Sequence, residues 1–145
     1  MGRIRVSTVI AAPSRQVWAA IADISRHVDW MDDAVAIRFL SNQRQGIGTE
    51  FECDTSVGPI RLTDRMTVTE WVPGRVLGIR HAGLVTGEGR LTLRRTLSGA
   101  TRFTWQERLR YPWWMGGPVG GLVVDRVMRR VWRGNLRNLK ERIED

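Results

Sequence analysis

Three ionisable residues have the types and the positions needed for acid–base chemistry: Asp64, His81 and Glu107. All three lie between residues 34 and 111, where apolar and polar residues alternate with the period of two that is typical of strands. A carboxylate that faces an apolar interior must be hydrogen-bonded, paired or hydrated. One such group could remove a proton next to a carbonyl while another protonates a leaving oxygen. The alternative is that these side chains lie at the wet mouth of a cavity or at the edge of the sheet.

The positions of Asp64 and His81 relative to each other depend on one hairpin, since a shift of one residue would turn a strand inside out. A Pro-Gly turn directly after Val72 predicts that Val72 pairs with Arg75. Counting back from that pair sets Met66 opposite His81. Asp64 then lies diagonal to His81, at a distance of roughly 7–8 Å between strands.

The placement of Glu107 depends on the last hairpin of the same region. A three-residue loop through residues 98–100 pairs Leu93 with Trp105 and Leu91 with Glu107. A two-residue loop would instead turn polar side chains inward, so the three-residue loop is preferred. The shared face of these strands is mostly apolar and must meet an apolar partner.

The elements around this sheet follow from the same kind of pattern. A strand over residues 3–10 precedes a helix that opens at Ala12-Pro13-Ser14, where Pro suits the first helical position and Ser a cap. A short helical segment carries Val28 and Trp30, six strands follow, and a long amphipathic helix runs from about Val119 to Glu144. Short breaks between strands indicate hairpins. The prediction is an α+β fold, in which a curved antiparallel sheet of about seven strands grips the C-terminal helix.

The inner face of the sheet and the apolar stripe of the last helix should enclose a cavity for an apolar ligand. The alternative is that the same large side chains fill the space as ordinary core. The residues expected to line the cavity are Phe51, Cys53, Met66, Ile79, Leu93, Trp105, Val124, Met128, Val131 and Trp132. The candidate gate residues, which lie in loops rich in glycine or in aromatic side chains, are Trp30, Trp113 and Trp114.

Length and composition restrict the classes of protein. The chain has 145 residues, and we expect one ligand-binding domain over residues 1–145. Its single cysteine, Cys53, excludes a disulfide framework and a cysteine-based metal site. The first twelve residues lack the apolar stretch of a signal peptide, and no apolar run reaches the ~20 residues of a spanning helix. A cytoplasmic location is therefore expected.

The formal charge of +8 comes almost entirely from arginine, because Lys140 is the only lysine. One interpretation is a polyanionic partner, either RNA or an anionic membrane, which would dock on the basic face of the last helix. Two adjacent tryptophans in a Pro/Gly loop, Trp113 and Trp114, suit a membrane interface or a lid. The other interpretation is a preference for arginine wherever a solvated cation is needed. We expect no DNA partner, and a monomer or a weak dimer.

Several short motifs occur in an order that resembles the START-like helix-grip (SRPBCC) superfamily, in particular its small bacterial members of the polyketide cyclase/dehydrase and lipid-transport type. The resemblance extends over nearly the whole chain. The motifs are Ala12-Pro13 with Val17-Trp18, Asp23, Trp30, Gly46-x-Gly48-x-x-Phe51, Val72-Pro73-Gly74-Arg75, Thr101-Arg102-Phe103-Thr104-Trp105 and Leu136-x-x-Leu139-Lys140. The resemblance implies a deep pocket between the sheet and the long helix. It also implies functions as diverse as lipid carriage, hormone binding and polyketide aromatisation or cyclisation.

Three functions remain open at this point. The first is a non-catalytic binding module for a lipid, an isoprenoid or a polyketide-like molecule. The second is a cyclase or dehydratase that uses the three inward ionisable residues. The third is an adaptor that docks on a membrane or on RNA. No cofactor or metal is expected, because the sequence has no P-loop, no dinucleotide-binding glycine pattern and no metal-spaced histidine pair.

Overall fold

A computed structural model describes residues 2–115 and 117–145, and Gly116, part of the break expected before the last helix, lies outside the described residues. In the described residues the chain forms seven strands, two α-helices and two short 3₁₀ helices, the latter at Ile24–Asp29 and Trp113–Met115. The α-helices are α1 (Ser14–Ala22) and α2 (Gly117–Glu144). The strands are β1 (Gly2–Ile10), β2 (Ala34–Phe39), β3 (Glu50–Val57), β4 (Ile60–Val72), β5 (Val76–Ala82), β6 (Thr86–Arg95) and β7 (Thr101–Arg110).

The strands pair antiparallel in one sheet with the order β1-β7-β6-β5-β4-β3-β2. Strands β2 to β7 are a meander, because each pairs with the strand that follows it in the chain. Residues 40–49 connect β2 to β3, and short turns connect the others. The N-terminal strand β1 adds to the far edge beside β7. The predicted α+β fold with a seven-stranded antiparallel sheet and a long C-terminal helix is therefore confirmed.

The two halves of α2 have different surroundings. Its C-terminal half packs on β1 and buries Trp132, Leu136 and Leu139 in the apolar core. The Lys140 Nζ donates to the carbonyl oxygen of Val9 at 2.8 Å, which fixes this end of the helix to the sheet. The N-terminal half lies over the middle of the sheet without filling the space between them. The fold therefore has a packed apolar core at one end of α2 and a cavity at the other.

Two hairpins differ in detail from the sequence-based registers. Val72 pairs with Val76 instead of Arg75, and a bulge between Val68 and Glu70 restores the predicted Met66–His81 pair. A bulge adds one residue to one strand, so two errors of one residue cancel before the site is reached.

The last hairpin is shifted by two residues from the prediction. Leu93 pairs with Phe103 and Trp105 with Leu91, because the loop comprises residues 96–100. A hydrogen bond from the Thr96 amide to the Ala100 carbonyl, at 2.9 Å, closes this longer loop. A shift of two keeps every side chain on its predicted face, since the side-chain period of a strand is two.

Both helix starts also differ from expectation. Pro13, and not Ser14, occupies the cap position of α1, and no side-chain hydrogen bond caps that helix within the described residues. The long helix begins at Gly117, two residues before the expected Val119. None of the helices in the described part of the chain combines the length and the apolar character that crossing a bilayer requires.

Candidate functional site

A cavity of about 520 Å³ separates the inner face of the sheet from the N-terminal half of α2. Strands β3 to β7 form its floor and α2 forms its roof. Eight of the ten residues expected from the sequence are in its wall: Phe51, Cys53, Met66, Ile79, Trp105, Val124, Met128 and Trp132. The walls are mainly apolar, and the polar groups are concentrated in two clusters.

The structure places three predicted residues away from the cavity. Leu93 is buried in the core, because the two-residue shift of the last hairpin moves it beyond Trp105. Val131 is half-buried and packs against the core at the closed end. Trp30 is only 3% exposed and lies 6.1 Å from the Trp105 ring, centroid to centroid. Trp30 is therefore a core residue and the gate assignment is wrong for it.

The first polar cluster joins the three inward ionisable residues. His81 lies between two carboxylates, with Nδ1 2.8 Å from Asp64 Oδ2 and Nε2 2.8 Å from Glu107 Oε2. The indole N–H of Trp105 donates to the other oxygen of Glu107 at 3.1 Å. All of these side chains are buried or nearly so. The residues come from β4, β5 and β7, and we refer to Asp64, His81 and Glu107 as the triad.

Two glycines of β6 make the contact between Glu107 and His81 geometrically accessible. The two residues are on strands that are not neighbours, and β6 runs between them. Gly89 pairs with Glu107 and Gly87 pairs with His81. A Cβ atom at Gly89 would stand 2.3 Å from the Glu107 Oε1, so the carboxylate occupies the space of the missing side chain. The absence of side chains at Gly87 and Gly89 therefore lets His81 of β5 and Glu107 of β7 form a hydrogen bond over β6.

The charge on His81 follows from its two neighbours. Burial alone would lower the pKa of His81, but the carboxylates of Glu107 and Asp64 outweigh burial and raise the pKa to about 10. The imidazole is therefore a cation near neutral pH, with both N–H groups donating to carboxylates. The second oxygen of Asp64 is shut off from solvent and has no hydrogen-bond partner among the described residues.

A second polar cluster lies under α2. Asp33 is buried and accepts hydrogen bonds from Asn135 Nδ2 at 2.7 Å and from the indole N–H of Trp132 at 3.2 Å. Asn135 in turn accepts from the amide of Asp32 at 2.8 Å. The Trp132 ring stacks on Trp105 with 4.7 Å between centroids. The stacked indoles therefore connect the two clusters, because each donates its N–H to a different carboxylate.

Three other polar groups line the cavity, and burial shifts the pKa of each. Burial lowers the pKa of His27, whose Nε2 lies 2.7 Å from the Ile21 carbonyl, so this imidazole is neutral. Burial raises the pKa of Cys53 to about 11, which keeps it a thiol. Burial and the Asp125 carboxylate both raise the pKa of Tyr111. The Tyr111 hydroxyl donates to Asp125 at 2.8 Å, which connects the segment after β7 to α2.

Sequence reasoning missed Asp33, Asn135 and the β6 glycines as parts of the site. A signal was available for two of them. Asn135 is a polar residue inside the apolar stripe of α2, and such a residue needs a buried partner. Gly87 and Gly89 alternate within a strand on the face that carries His81, which indicates the close approach of another group. Nothing local marked Asp33, since its partners are about one hundred residues away in the chain.

Trp113 and Trp114 are exposed in the 3₁₀ turn that precedes α2. Tyr111, two residues before them, lines the cavity. The turn therefore follows directly on the part of the cavity wall that Tyr111 forms. Within residues 2–115 and 117–145, no group of three or more His, Cys, Asp or Glu residues is arranged to hold a metal ion.

Comparison with known proteins finds a family and a fold. A family model described as "Polyketide cyclase / dehydrase and lipid transport" matches residues 1–144. The protein TTHA0849 of Thermus thermophilus superposes with a TM-score of 0.85 at 15% identity, over 98% of this chain and 97% of that one. A START superfamily protein of Mycobacterium smegmatis gives 0.81 at 12% identity, over 98% and 97%. The Zhui aromatase/cyclase of a Streptomyces species gives 0.77 at 18% identity, over 99% and 93%. No curated protein matches the chain.

Proposed function

We propose that this chain, which belongs to the polyketide cyclase/dehydrase and lipid transport family, binds an apolar or amphipathic small molecule between its sheet and α2. The family match and the fold of the neighbours confirm the START-like resemblance seen in the sequence. Family and fold together suggest hydrophobic ligand binding or a cyclase type of function. The choice between these rests on the geometry of the cavity.

The cavity is the observation that carries the proposal. Its volume of about 520 Å³ lies within the range of ~300–1,000 Å³ that is usual for small-molecule sites. Most of its wall is aliphatic or aromatic, so a ligand with an apolar body would gain roughly 25 cal/mol for each Å² removed from water. The packed apolar core lies at the other end of α2, apart from this space.

The two polar clusters of the wall determine which polar group on a ligand the site favours. Two carboxylates surround one imidazolium in the triad, which gives a net charge of −1, and Asp33 adds a further carboxylate to the wall. Both N–H groups of His81 are already donating, whereas carboxylate oxygens can accept additional hydrogen bonds. The site therefore favours a ligand that donates, such as an alcohol, a phenol or an amine. A free carboxylate would be repelled.

The first experiment is native mass spectrometry of the purified protein, followed by extraction and identification of any bound molecule. The second is a titration with a matched series of decanol, decylamine and decanoate, followed by calorimetry. Decanol and decylamine should bind at least ten-fold more tightly than decanoate. Equal affinity for all three compounds would show that the triad does not discriminate between the polar ends of ligands.

A variant that occupies the cavity tests the location of binding. Val124→Trp extends an indole from α2 into the space and should weaken decanol binding at least ten-fold, with helical content unchanged. Leu97→Trp is the matched control, because Leu97 lies fully exposed in the loop at the far end of β6. Unchanged affinity in Val124→Trp would overturn the proposed site.

A second candidate function is acid–base catalysis of the cyclase or dehydratase kind at the triad. The buried cation between two carboxylates is the observation in its favour. A pKa of about 10 makes His81 a weak proton donor near pH 7, which places this candidate second. The test is exchange of the α-protons of a long-chain methyl ketone, measured by NMR in deuterium oxide. If the triad is catalytic, exchange should be faster with the wild-type protein than in buffer alone. The Glu107→Gln and Asp64→Asn variants should lose this acceleration.

A further inference from the structure

The outward face of α2 changes from apolar to basic along its length. Val119, Leu122 and Val123 are exposed in the first two turns, Val119 by 72% and Leu122 by 66%. The same face continues with four exposed arginines, because steps of three and four residues keep to one side of a helix. These arginines are Arg126, Arg130, Arg133 and Arg137. One helix face therefore carries an apolar end and a cationic stem.

The apolar end of α2 has exposed apolar neighbours. Trp113 is 85% exposed in the 3₁₀ turn directly before the helix, and Trp114 beside it is also exposed. Ile60, at the tip of the β3–β4 hairpin, is exposed and lines the cavity together with Val123. We call Ile60, Trp113, Trp114, Val119, Leu122 and Val123 the mouth patch. Exposed apolar patches of this kind mark interaction sites in folded proteins.

Cations flank the mouth patch on both of its supporting strands. Arg61 follows Ile60 directly, and Arg110 ends β7 just before the turn with the tryptophans. Neither of them, nor Arg126 or Arg130, forms an ion pair with any residue that the structure describes. Their charges are thus available to a partner, and the chain as a whole carries +8. The chemistry of this surface is complementary to an anionic, partly apolar surface.

We propose that the mouth patch docks on an anionic lipid bilayer, so that the cavity opens toward the acyl chains. Tryptophan is favoured at membrane interfaces, and basic residues next to it are attracted to anionic headgroups. A second copy of the chain is disfavoured as the occupant, because two such faces would bring their arginines together. RNA would account for the arginines but not for the exposed aliphatic side chains.

The spacing along α2 fits insertion of its N-terminal end to the depth that apolar groups reach at a membrane interface. Val119 and Arg126 are seven residues apart, about 10 Å along the axis at 1.5 Å per residue. Apolar faces of interfacial helices enter the boundary between headgroups and acyl chains by roughly 5–10 Å. With Val119 at that depth and the helix entering by its N-terminal end, Arg126 lies about 10 Å further out, at the level of the headgroups, and Arg130 lies about 6 Å beyond it on the aqueous side. The docking does not rest on the proposed ligand, since Val124→Trp should lose decanol binding and still dock.

The test is co-sedimentation of the full chain with phosphatidylcholine vesicles, with and without about 30 mol% phosphatidylglycerol, over a range of salt concentrations. Binding should require the anionic lipid and should weaken with salt. Two double variants should each reduce vesicle binding at least ten-fold. One combines Trp113→Ser with Trp114→Ser, and the other combines Arg126→Glu with Arg130→Glu. Thermal unfolding followed by circular dichroism verifies that each variant is folded.

Matched controls lie at the opposite end of the sheet. Arg94→Glu with Arg102→Glu gives the same change in net charge at two exposed residues that pair across β6 and β7. Leu97→Ser removes an exposed apolar side chain from the loop between the same strands. Both controls should retain vesicle binding within about two-fold of the wild type at the same salt concentration.

Three outcomes would overturn the proposal. The first is the absence of vesicle binding by the wild type at low salt. The second is an equal loss in Arg94→Glu with Arg102→Glu, which would show attraction by net charge alone. The third is that the patch variants abolish a dimer in sedimentation velocity, or binding to single-stranded RNA, while vesicle binding is unchanged.

Discussion

The carboxylate of Glu107 lies where a side chain of Gly89 would be, directly across the β6–β7 ladder. Hydrogen bonds from His81 and from the Trp105 indole fix the carboxylate in this position. The two residues are therefore a pair in which one supplies the charge and the other supplies the room for it. Without that room Glu107 could not reach across β6 to His81.

Gly89→Ala should break the contact between Glu107 and His81. The added Cβ would stand 2.3 Å from Glu107 Oε1 and 2.4 Å from its Cδ, so the carboxylate must leave. A buried polar group that is left without a partner costs about 1–3 kcal/mol of unfolding free energy, and a charged group costs more. The measurement is urea denaturation at pH 7, with the ring nitrogens of His81 followed by NMR.

Gly134→Ala is the control for this substitution. A Cβ at Gly134 would meet no atom of the described residues within 4 Å, apart from the backbone of its own helix. Alanine is the better helix former by roughly 0.5–1 kcal/mol, so this variant should be at least as stable as the wild type. If both substitutions had the same effect, the room at Gly89 would have no special role.

The charge of His81 makes stability depend on pH. Its pKa is about 10 in the folded protein against an ordinary value of 6.5, so the folded state binds the proton more tightly. The resulting stabilisation is fully present below pH 6.5 and is lost as the pH rises through 10. Between these limits the unfolding free energy should fall by up to about 1.4 kcal/mol per pH unit from this group. Urea denaturation at several pH values across the window measures the slope.

His81→Gln provides the comparison for the pH series. Glutamine can donate to one carboxylate but carries no charge, so the variant should be less stable at pH 6.5 and should lose most of the slope. A slope that is the same in both proteins would show that another group titrates in this range. The prediction for His81 would then be wrong.

The sequence predicted which face of the sheet carries the triad, but it did not predict the hydrogen bonds among the three residues. Period-two alternation and turn positions set the parity of each strand, and parity survived a two-residue error at Leu93 because side chains repeat every two residues. The bulge after Val68 was not predictable, since a bulge leaves no fixed pattern in one sequence. Asp33 was missed and Trp30 was wrongly assigned to the gate, because the burial of both depends on packing with distant elements, which local pattern does not encode.

Asn135 should contribute strongly to stability although it is polar. Its side chain is fully buried, donates to Asp33 and accepts from the amide of Asp32. Asn135→Leu leaves both groups short of a partner inside the protein, at a cost of about 1–3 kcal/mol in unfolding free energy. Asn138→Leu is the matched control on the same helix, because Asn138 is only half-buried and should cost less than about 1 kcal/mol. Equal losses in the two variants would contradict a special role for the buried amide.

Cys53 should react slowly with thiol reagents in the folded protein and much faster once unfolding exposes it. Burial raises its pKa to about 11 from an ordinary value of 9.0, so at pH 8 the reactive thiolate is about a hundred-fold scarcer than for a free thiol. The measurement is the rate of reaction with an aromatic disulfide at pH 8, in buffer and in concentrated urea. The native rate should be at least a hundred-fold lower, and decanol should lower it further, because Cys53 lines the cavity. A native rate close to the rate in urea would show that the thiol is not buried and that its pKa is not raised. If bound decanol did not change the rate, the ligand would bind elsewhere.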